Sequence, residues 1–271
     1  MNPLVAVGII AVGVAVMIGL LWIVRTMEPA TGLTRDTNRA FALYGMVSTA
    51  FAVLLAFVVL VAFQSFNEGK SGAESEAVSV VALFRTAAFF DQRARETLQA
   101  EIACYARAAV AEWPSMRDGG QSRLVDIWVA RMQRTSSQLP LDSPTAEAAF
   151  TRFLEEEDER THGRRERLAE GRPVVSTPVW FTLALGALAV LLPALLFADR
   201  RELFLVQGSL LAAMATIVVA GLVLIWFLDH PYEDSSGSIK PVEMQRSIAT
   251  IDAESPALPT LCSPSGEPRP A

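Results

Sequence analysis

Few side chains in this chain are equipped for chemistry. It holds two histidines, His162 and His230, and two cysteines, Cys104 and Cys262. His230 stands between a carboxylate and a proline in Asp229-His230-Pro231, directly after a long apolar run. Such residues could form a charged ring at a pore mouth. They also terminate a helix, because a residue before proline is pushed into extended backbone. The terminator is the preferred reading, with Asp229 or Glu233 meeting an arginine of the central polar segment. Glu112-Trp113, just before Pro114, has the same balance: a packing contact at a helix end first, a ligand or subunit contact second. His162 lies in a charge-dense stretch and reads as solvated.

The two cysteines are too far apart in sequence for a metal pattern. They could form a disulfide in an oxidising compartment, but two unrelated thiols are the simpler expectation. No HExxH, GxSxG, phosphate loop or dinucleotide fingerprint occurs. The expectation is therefore no enzyme, no catalytic residue, no cofactor and no metal site. A net charge of −6 with only short, mixed basic patches argues against nucleic acid.

The elements that would position these residues are set by where charge is missing. The chain has 271 residues, 52% of them hydrophobic. Pro3–Val24, Phe41–Phe63, Val179–Ala198 and Leu203–Leu228 contain no Asp, Glu, Lys, Arg or His. At ~1.5 Å per residue, each block covers the ~30 Å of a bilayer core as a helix. The fold class is thus all-α: a polytopic membrane protein with four transmembrane helices and a helical, water-exposed insert between spans two and three. The expected divisions are a hairpin over 1–66 (spans 3–24 and 41–63), the insert over 67–177, and a hairpin over 178–230 (spans 179–198 and 203–228). A polar tail follows over 231–271, disordered after about 251 because its Pro/Ser/Glu-rich composition offers little apolar surface to bury. The first block has no basic residue before it and is too long for a signal-peptide core, so it reads as a retained anchor.

Ridges of small residues mark the spans: Gly8, Ala11, Ala15 and Gly19 in the first; Gly45, Thr49, Ala52 and Ala56 in the second; Gly208, Ala212, Thr216 and Ala220 in the fourth. Small side chains let backbones approach in lipid, so the spans are expected to form a bundle, within one chain or between copies. Gln207 is the one strongly polar side chain near membrane depth, and Pro193 should kink the third span. Charge-coupled transporters keep an acid or base in the membrane. None is present here, which leaves a passive pore with an apolar constriction or a bundle that conducts nothing.

The insert reads as four helices. The first covers Glu74–Phe90, the second starts at Asp91 and stops at Pro114, the third starts near Ser122, and the fourth starts at Ser143-Pro144 and runs to Ala169-Glu170. The second carries an apolar stripe of Leu98, Ile102, Tyr105, Ala109 and Trp113. The end of the fourth, rich in Glu and Arg, reads as a solvated stalk laced by pairs such as Glu156–Arg160. Arg25, Arg35 and Arg39 in one short loop, with Arg200 and Arg201 in the other, favour an extracytoplasmic insert. Arg164, Arg165, Arg167 and Arg172 on the opposite side oppose this, so sidedness stays open with that lean.

Several short motifs occur in a telling order. Glu76-Ala77 and then Leu83-Phe84-Arg85 follow the second span; Tyr105 precedes Glu112-Trp113; the last span ends in Leu228-Asp229-His230-Pro231-Tyr232. In this order, over roughly residues 40–245, the chain resembles the bestrophin-like family of bacterial membrane proteins, a domain-of-unknown-function group. It departs from the family in the turn after Tyr232, where Gly237 comes later than usual. The resemblance extends in layout to the bestrophins, pentameric anion channels with a cytoplasmic insert. It implies a bacterial inner-membrane, multi-pass protein surrounded by lipid, a homo-oligomer and an anion channel, with span two, including Phe57, as the pore wall. The alternative is a non-conducting scaffold or sensor whose insert binds a protein partner.

Overall fold

The computed structural model describes residues 2–27, 37–197, 202–259 and 261–269. Arg35, Arg200, Arg201 and the last residue of the expected third span, Ala198, lie outside the described residues, as does the side chain of Arg39. Helices α1 (Pro3–Met27), α2 (Thr37–Thr86), α3 (Gln92–Met116), α4 (Arg123–Ser136), α5 (Pro144–Ala169), α6 (Thr177–Leu196), α7 (Phe204–Leu228) and α8 (Val242–Glu254) follow one another, with a short 3-10 turn at Ala87–Phe89. Among the described residues the only β pairing is an isolated antiparallel bridge between Cys262 and Pro268. Helices α1, α2, α6 and α7 are long and apolar enough to cross a membrane, so the chain is an all-α membrane protein.

The second span does not end where its apolar block ends. It continues as one helix to Thr86, through the segment expected to form a separate first helix of the insert. Nothing between Phe63 and Glu74 breaks a helix: the stretch has no proline, and its two glycines, Gly69 and Gly72, lie within the helix.

The chain divides into two compact units. The first comprises residues 1–65, 173–229 and 234–237. In it α1 packs mainly on α7 and also on α6, around Met17, Leu21, Leu195, Leu211 and Ala215. Arg25 at the end of α1 donates to Gln207 Oε1 (3.0 Å) and to the Glu202 carbonyl (2.9 Å), so the one strongly polar side chain of the fourth span has a partner. The glycines of the expected ridges do not make the close contacts within this chain. A Cβ on Gly8, Gly19, Gly45 or Gly208 would meet nothing of the chain within 4 Å. The close approaches fall instead on Gly13, 3.0 Å from Val219 for such a Cβ, on Gly221, 2.8 Å from Leu55, and on Gly186 against Phe51. Small residues occupy more than one face of these helices, and spacing alone does not select the face that packs.

The second unit comprises residues 66–172, 230–233 and 238–271. Its helices begin where capping residues dictate: the side chains of Asp91, Ser122 and Ser143 accept from the backbone amides of Ala94, Leu124 and Ala146. Helix α3 passes through Pro114 to Met116 rather than stopping before it, because proline in a final turn removes only one backbone bond. Leu83, Phe84, Leu98, Ile102, Trp128, Met132 and Phe153 form the core.

Two expectations fail in this unit. Helix α5 is not a solvated stalk: Ala146, Ala149, Phe153, Glu156, Arg160, Gly163 and Arg167 are buried along one stripe. Arg160 pairs with Glu157 rather than Glu156, which pairs with Arg152. The tail is not disordered from residue 251. Helix α8 runs to Glu254, and Cys262 is bonded to Cys104, so the two thiols are not unrelated. The Gly266 carbonyl accepts from the Trp128 indole at 2.6 Å. A covalent bond, buried polar contacts and the packing of Leu258 and Leu261 against the core hold a segment whose own apolar content is small.

Candidate functional site

Three helices of the second unit converge on one buried cluster of charge. The part of α2 beyond its apolar block supplies Glu76. Helix α3 supplies Tyr105 and Glu112, two helical turns apart on one face, with Trp113 beside them. Helix α5 supplies Arg160, Arg164 and Arg167, at the i, i+4, i+7 spacing that also defines one face. Glycine makes the approach feasible: a Cβ on Gly163 would lie 2.6 Å from the Glu76 amide nitrogen and 2.7 Å from the Gly72 carbonyl. Helices α2 and α5 therefore touch backbone to backbone, which puts Glu76 within reach of Arg167.

Arg167 is the centre. Its Nε donates to Glu76 Oε2 at 2.5 Å and its Nη2 to Glu76 Oε1 at 3.1 Å, a two-pronged pair. The same Nη2 donates to Glu112 Oε2 at 2.9 Å, and Nη1 lies against the Met116 sulfur. Tyr105 donates its hydroxyl proton to Glu76 Oε1 at 2.5 Å. Glu112 Oε1 accepts from Arg164 at 2.9 Å and from the Ser122 amide at 2.8 Å, which ties α3 to the start of α4. Arg164 also donates to Asp126 at 3.0 Å. Guanidinium faces cover the rings: Arg160 lies 4.4 Å over Tyr105 and Arg167 lies 4.7 Å over Trp113.

The electrostatics follow from burial and pairing. Burial alone would raise the Glu112 carboxyl, but Arg167 and Arg164 outweigh it and hold that group below the ordinary carboxylate value. Burial and the Glu76 carboxylate push the Tyr105 phenol well above its usual range, so it stays a neutral donor. Burial works against the charge on Arg167, and the two carboxylates more than offset it, so the guanidinium stays charged. Arg164 and Arg167 balance Glu76 and Glu112 in charge, and both carboxylates are fully engaged, while Arg164 Nε and Arg160 Nη1 are buried without a hydrogen-bond acceptor. The arrangement fixes three helices in register; it presents no open acid or base to a substrate.

The structure places the sequence candidates in two groups. Glu76, Tyr105, Glu112 and Trp113 meet in this cluster. Tyr232, next to Pro231, joins them: its hydroxyl donates to the Arg167 carbonyl at 2.8 Å, and its ring meets Trp113 edge-on at 5.9 Å. The Trp113 indole donates to the Ile239 carbonyl at 3.1 Å. Asp229 does not join them. Its Oδ1 accepts from the Val174 and Val175 amides at 2.7 and 2.8 Å, so the end of α7 is tied to the lead-in of α6. That replaces the arginine partner expected for it. The carbonyl of His230 accepts from the Glu233 amide at 3.4 Å, closing a turn. Arg160, Arg164 and Arg167 are the members that sequence reasoning did not place in the site; the signal for Arg160 and Arg167 was the alternating three- and four-residue spacing from Ala146 to Arg167, a series that passes over Arg164. Among the described residues no three of His, Cys, Asp or Glu lie together as a metal-ligand group.

A family model for the bestrophin-like domain matches residues 5–241. A variant of a bacterial bestrophin homologue from Klebsiella pneumoniae superposes with a TM-score of 0.67 at 12% identity, covering 92% of this chain and 98% of that one. A second variant of the same description gives 0.66 at 11% identity, over 90% and 98%. A variant described only as a membrane protein gives 0.69 at 12% identity, over 94% and 99%. No curated protein matches.

Proposed function

Given that the chain belongs to the bestrophin-like family, we propose that it is an oligomeric, anion-conducting channel of the bacterial inner membrane, crossing it several times, and not an enzyme. The single observation that carries this reading is the shared fold over about nine-tenths of the chain with a bacterial bestrophin homologue. The apolar part of α2 is the pore wall in this reading. It has no charge from Phe41 to Phe63, and Phe57 is 63% exposed on the single chain. A ring of such phenylalanines in an oligomer makes an apolar constriction that gates by dewetting. The glycines that face no residue of their own chain, Gly8, Gly19, Gly45 and Gly208, suit close helix contacts between copies. The buried arginine cluster serves the channel by fixing the later part of α2 between α3 and α5.

The test is reconstitution of the purified protein in planar bilayers. Anion-selective steps are expected, and Phe57→Glu should abolish or reverse that selectivity while leaving particle size unchanged. A well-formed oligomer without conductance overturns the reading.

A second reading has its own support. Val78 and Phe89 are 69% and 64% exposed in the insert, and Phe89 borders a shallow cleft of about 240 Å³ with Thr86, Thr145 and Arg152. A non-conducting scaffold that docks a protein there would be monomeric and electrically silent.

A further inference from the structure

Cys104 lies in the buried middle of α3, and Cys262 lies 158 residues later in the tail; they are joined by a disulfide and almost wholly buried. The bond is part of a larger clasp. Gly266 has a φ of +81°, and a Cβ there would lie 2.5 Å from the Ala108 nitrogen, so the tail is pressed against the α3 backbone. The Trp128 indole donates to the Gly266 carbonyl, Arg107 pairs with Asp252 at 2.6 Å, and Arg85 pairs with Glu254 at 2.5 Å. These groups add to the packing of Ile251, Leu258 and Leu261 on the core of the unit.

Protein disulfides of this structural kind persist in oxidising compartments and are kept reduced by the cytosolic thiol pool. Four membrane crossings put the insert and the tail on one side of the membrane and both short arginine-bearing loops on the other. Those loops carry Arg25, Arg35, Arg39, Arg200 and Arg201. Short-loop arginines mark the cytoplasmic face, whereas long segments translocate largely regardless of charge. The opposing arginines before α6 lose weight in the structure. Arg164 and Arg167 are consumed in ion pairs with Glu112, Asp126 and Glu76, which leaves Arg165 and Arg172 as the exposed opposing pair against the five arginines of the short loops. Covalent chemistry and charge asymmetry therefore agree independently.

We propose that the helical insert and the C-terminal tail occupy the extracytoplasmic side, where a protein disulfide oxidant closes Cys104 onto Cys262 and locks the tail over α3. One Sγ–Sγ bond forms and the oxidant's S–S bond breaks. The oxidant leaves as a dithiol, having taken up two electrons and the two thiol protons. This placement departs from the cytoplasmic insert that the resemblance to bestrophins implies, and the clasp is independent of whether the protein conducts.

The test has two arms, both on the full-length chain in cells. In the first, cells are acid-quenched and free thiols are tagged with a mass-shifting maleimide. The wild-type chain should take no tag before reduction and two after it, and Cys104→Ser or Cys262→Ser should each take one without reduction. In the second, Gln138→Cys, in the exposed loop between α4 and α5, is placed in a chain lacking both native cysteines. It should react with a membrane-impermeant maleimide in intact cells. Two tags on the unreduced wild-type chain, or labelling of the Gln138→Cys chain only after lysis, overturns the proposal. Because the first arm uses the wild-type protein, it stands even if the cysteine-free chain misfolds.

Discussion

Arg167 carries a permanent charge at a place water does not reach, so protein groups alone must answer it. Removing one partner of a buried pair leaves the other uncompensated and costs about 3–5 kcal/mol. Arg167→Ala should therefore lower the melting temperature of the detergent-solubilised protein sharply. The exposed pair Lys70–Glu74, at 59% and 51% exposure, is the control, since such pairs are worth about 0–1 kcal/mol. Lys70→Ala should leave melting nearly unchanged by the same fluorescence measurement. Glu112 adds a pH dependence. Its folded pKa lies below its ordinary 4.5, so its stabilisation is complete above that value and is lost as pH falls through the lower folded value. Melting should fall on acidification from about pH 5 toward 3, and Glu112→Gln should melt lower at neutral pH with a flatter acid limb. A pH-independent wild-type melt over that window would contradict the assignment.

Helix α5 explains which elements could be read from sequence and which could not. The starts of α3, α4 and α5 were legible in Asp91, Ser122 and Ser143-Pro144, because capping is a local matter of one side chain and one amide. The stripe Leu98, Ile102, Tyr105, Ala109 and Trp113 was legible because apolar residues mark it, and all five are buried. The stripe of α5 has equally regular spacing, but Glu156, Arg160, Gly163 and Arg167 fill four of its seven positions. A reading that equates burial with hydrophobicity sees only a solvated helix there. Glu76, Tyr105 and Glu112 were singled out by motif order, yet the arginines that answer them come from a distant segment and depend on the α2–α5 crossing. Gly163→Ala tests that crossing. Its new methyl group would overlap the α2 backbone, and crowding of this kind costs about 1–3 kcal/mol. Gly8→Ala, which meets nothing within 4 Å, should cost nothing in the isolated chain. If both variants melt alike, the glycine contact does not hold the two helices.

For the whole molecule, four charge-free blocks suffice to show a membrane protein, because the absence of charge over a bilayer's depth needs no tertiary knowledge. The covalent link does need it: nothing local says that residues 158 apart will meet. Cross-linking so long a loop removes chain entropy worth up to about 5 kcal/mol in the loop-closure model, with about 2–4 kcal/mol typical. Treatment with a reductant, or Cys262→Ser, should lower the melting transition of the insert by several degrees. A thermal melt that ignores the reductant would show that the tail is held by packing alone.

The seat of Gly266 on Ala108 also bears on how the chain can be handled. Cutting the polypeptide after Glu254 would bare the alanine-lined flank of α3 and deprive the Trp128 indole of its acceptor. The shortened protein would acquire a sticky face that the intact one lacks. Its yield and dispersity should suffer even though every span and every helix of the insert is still encoded, so a purification handle belongs after these last residues and never in place of them.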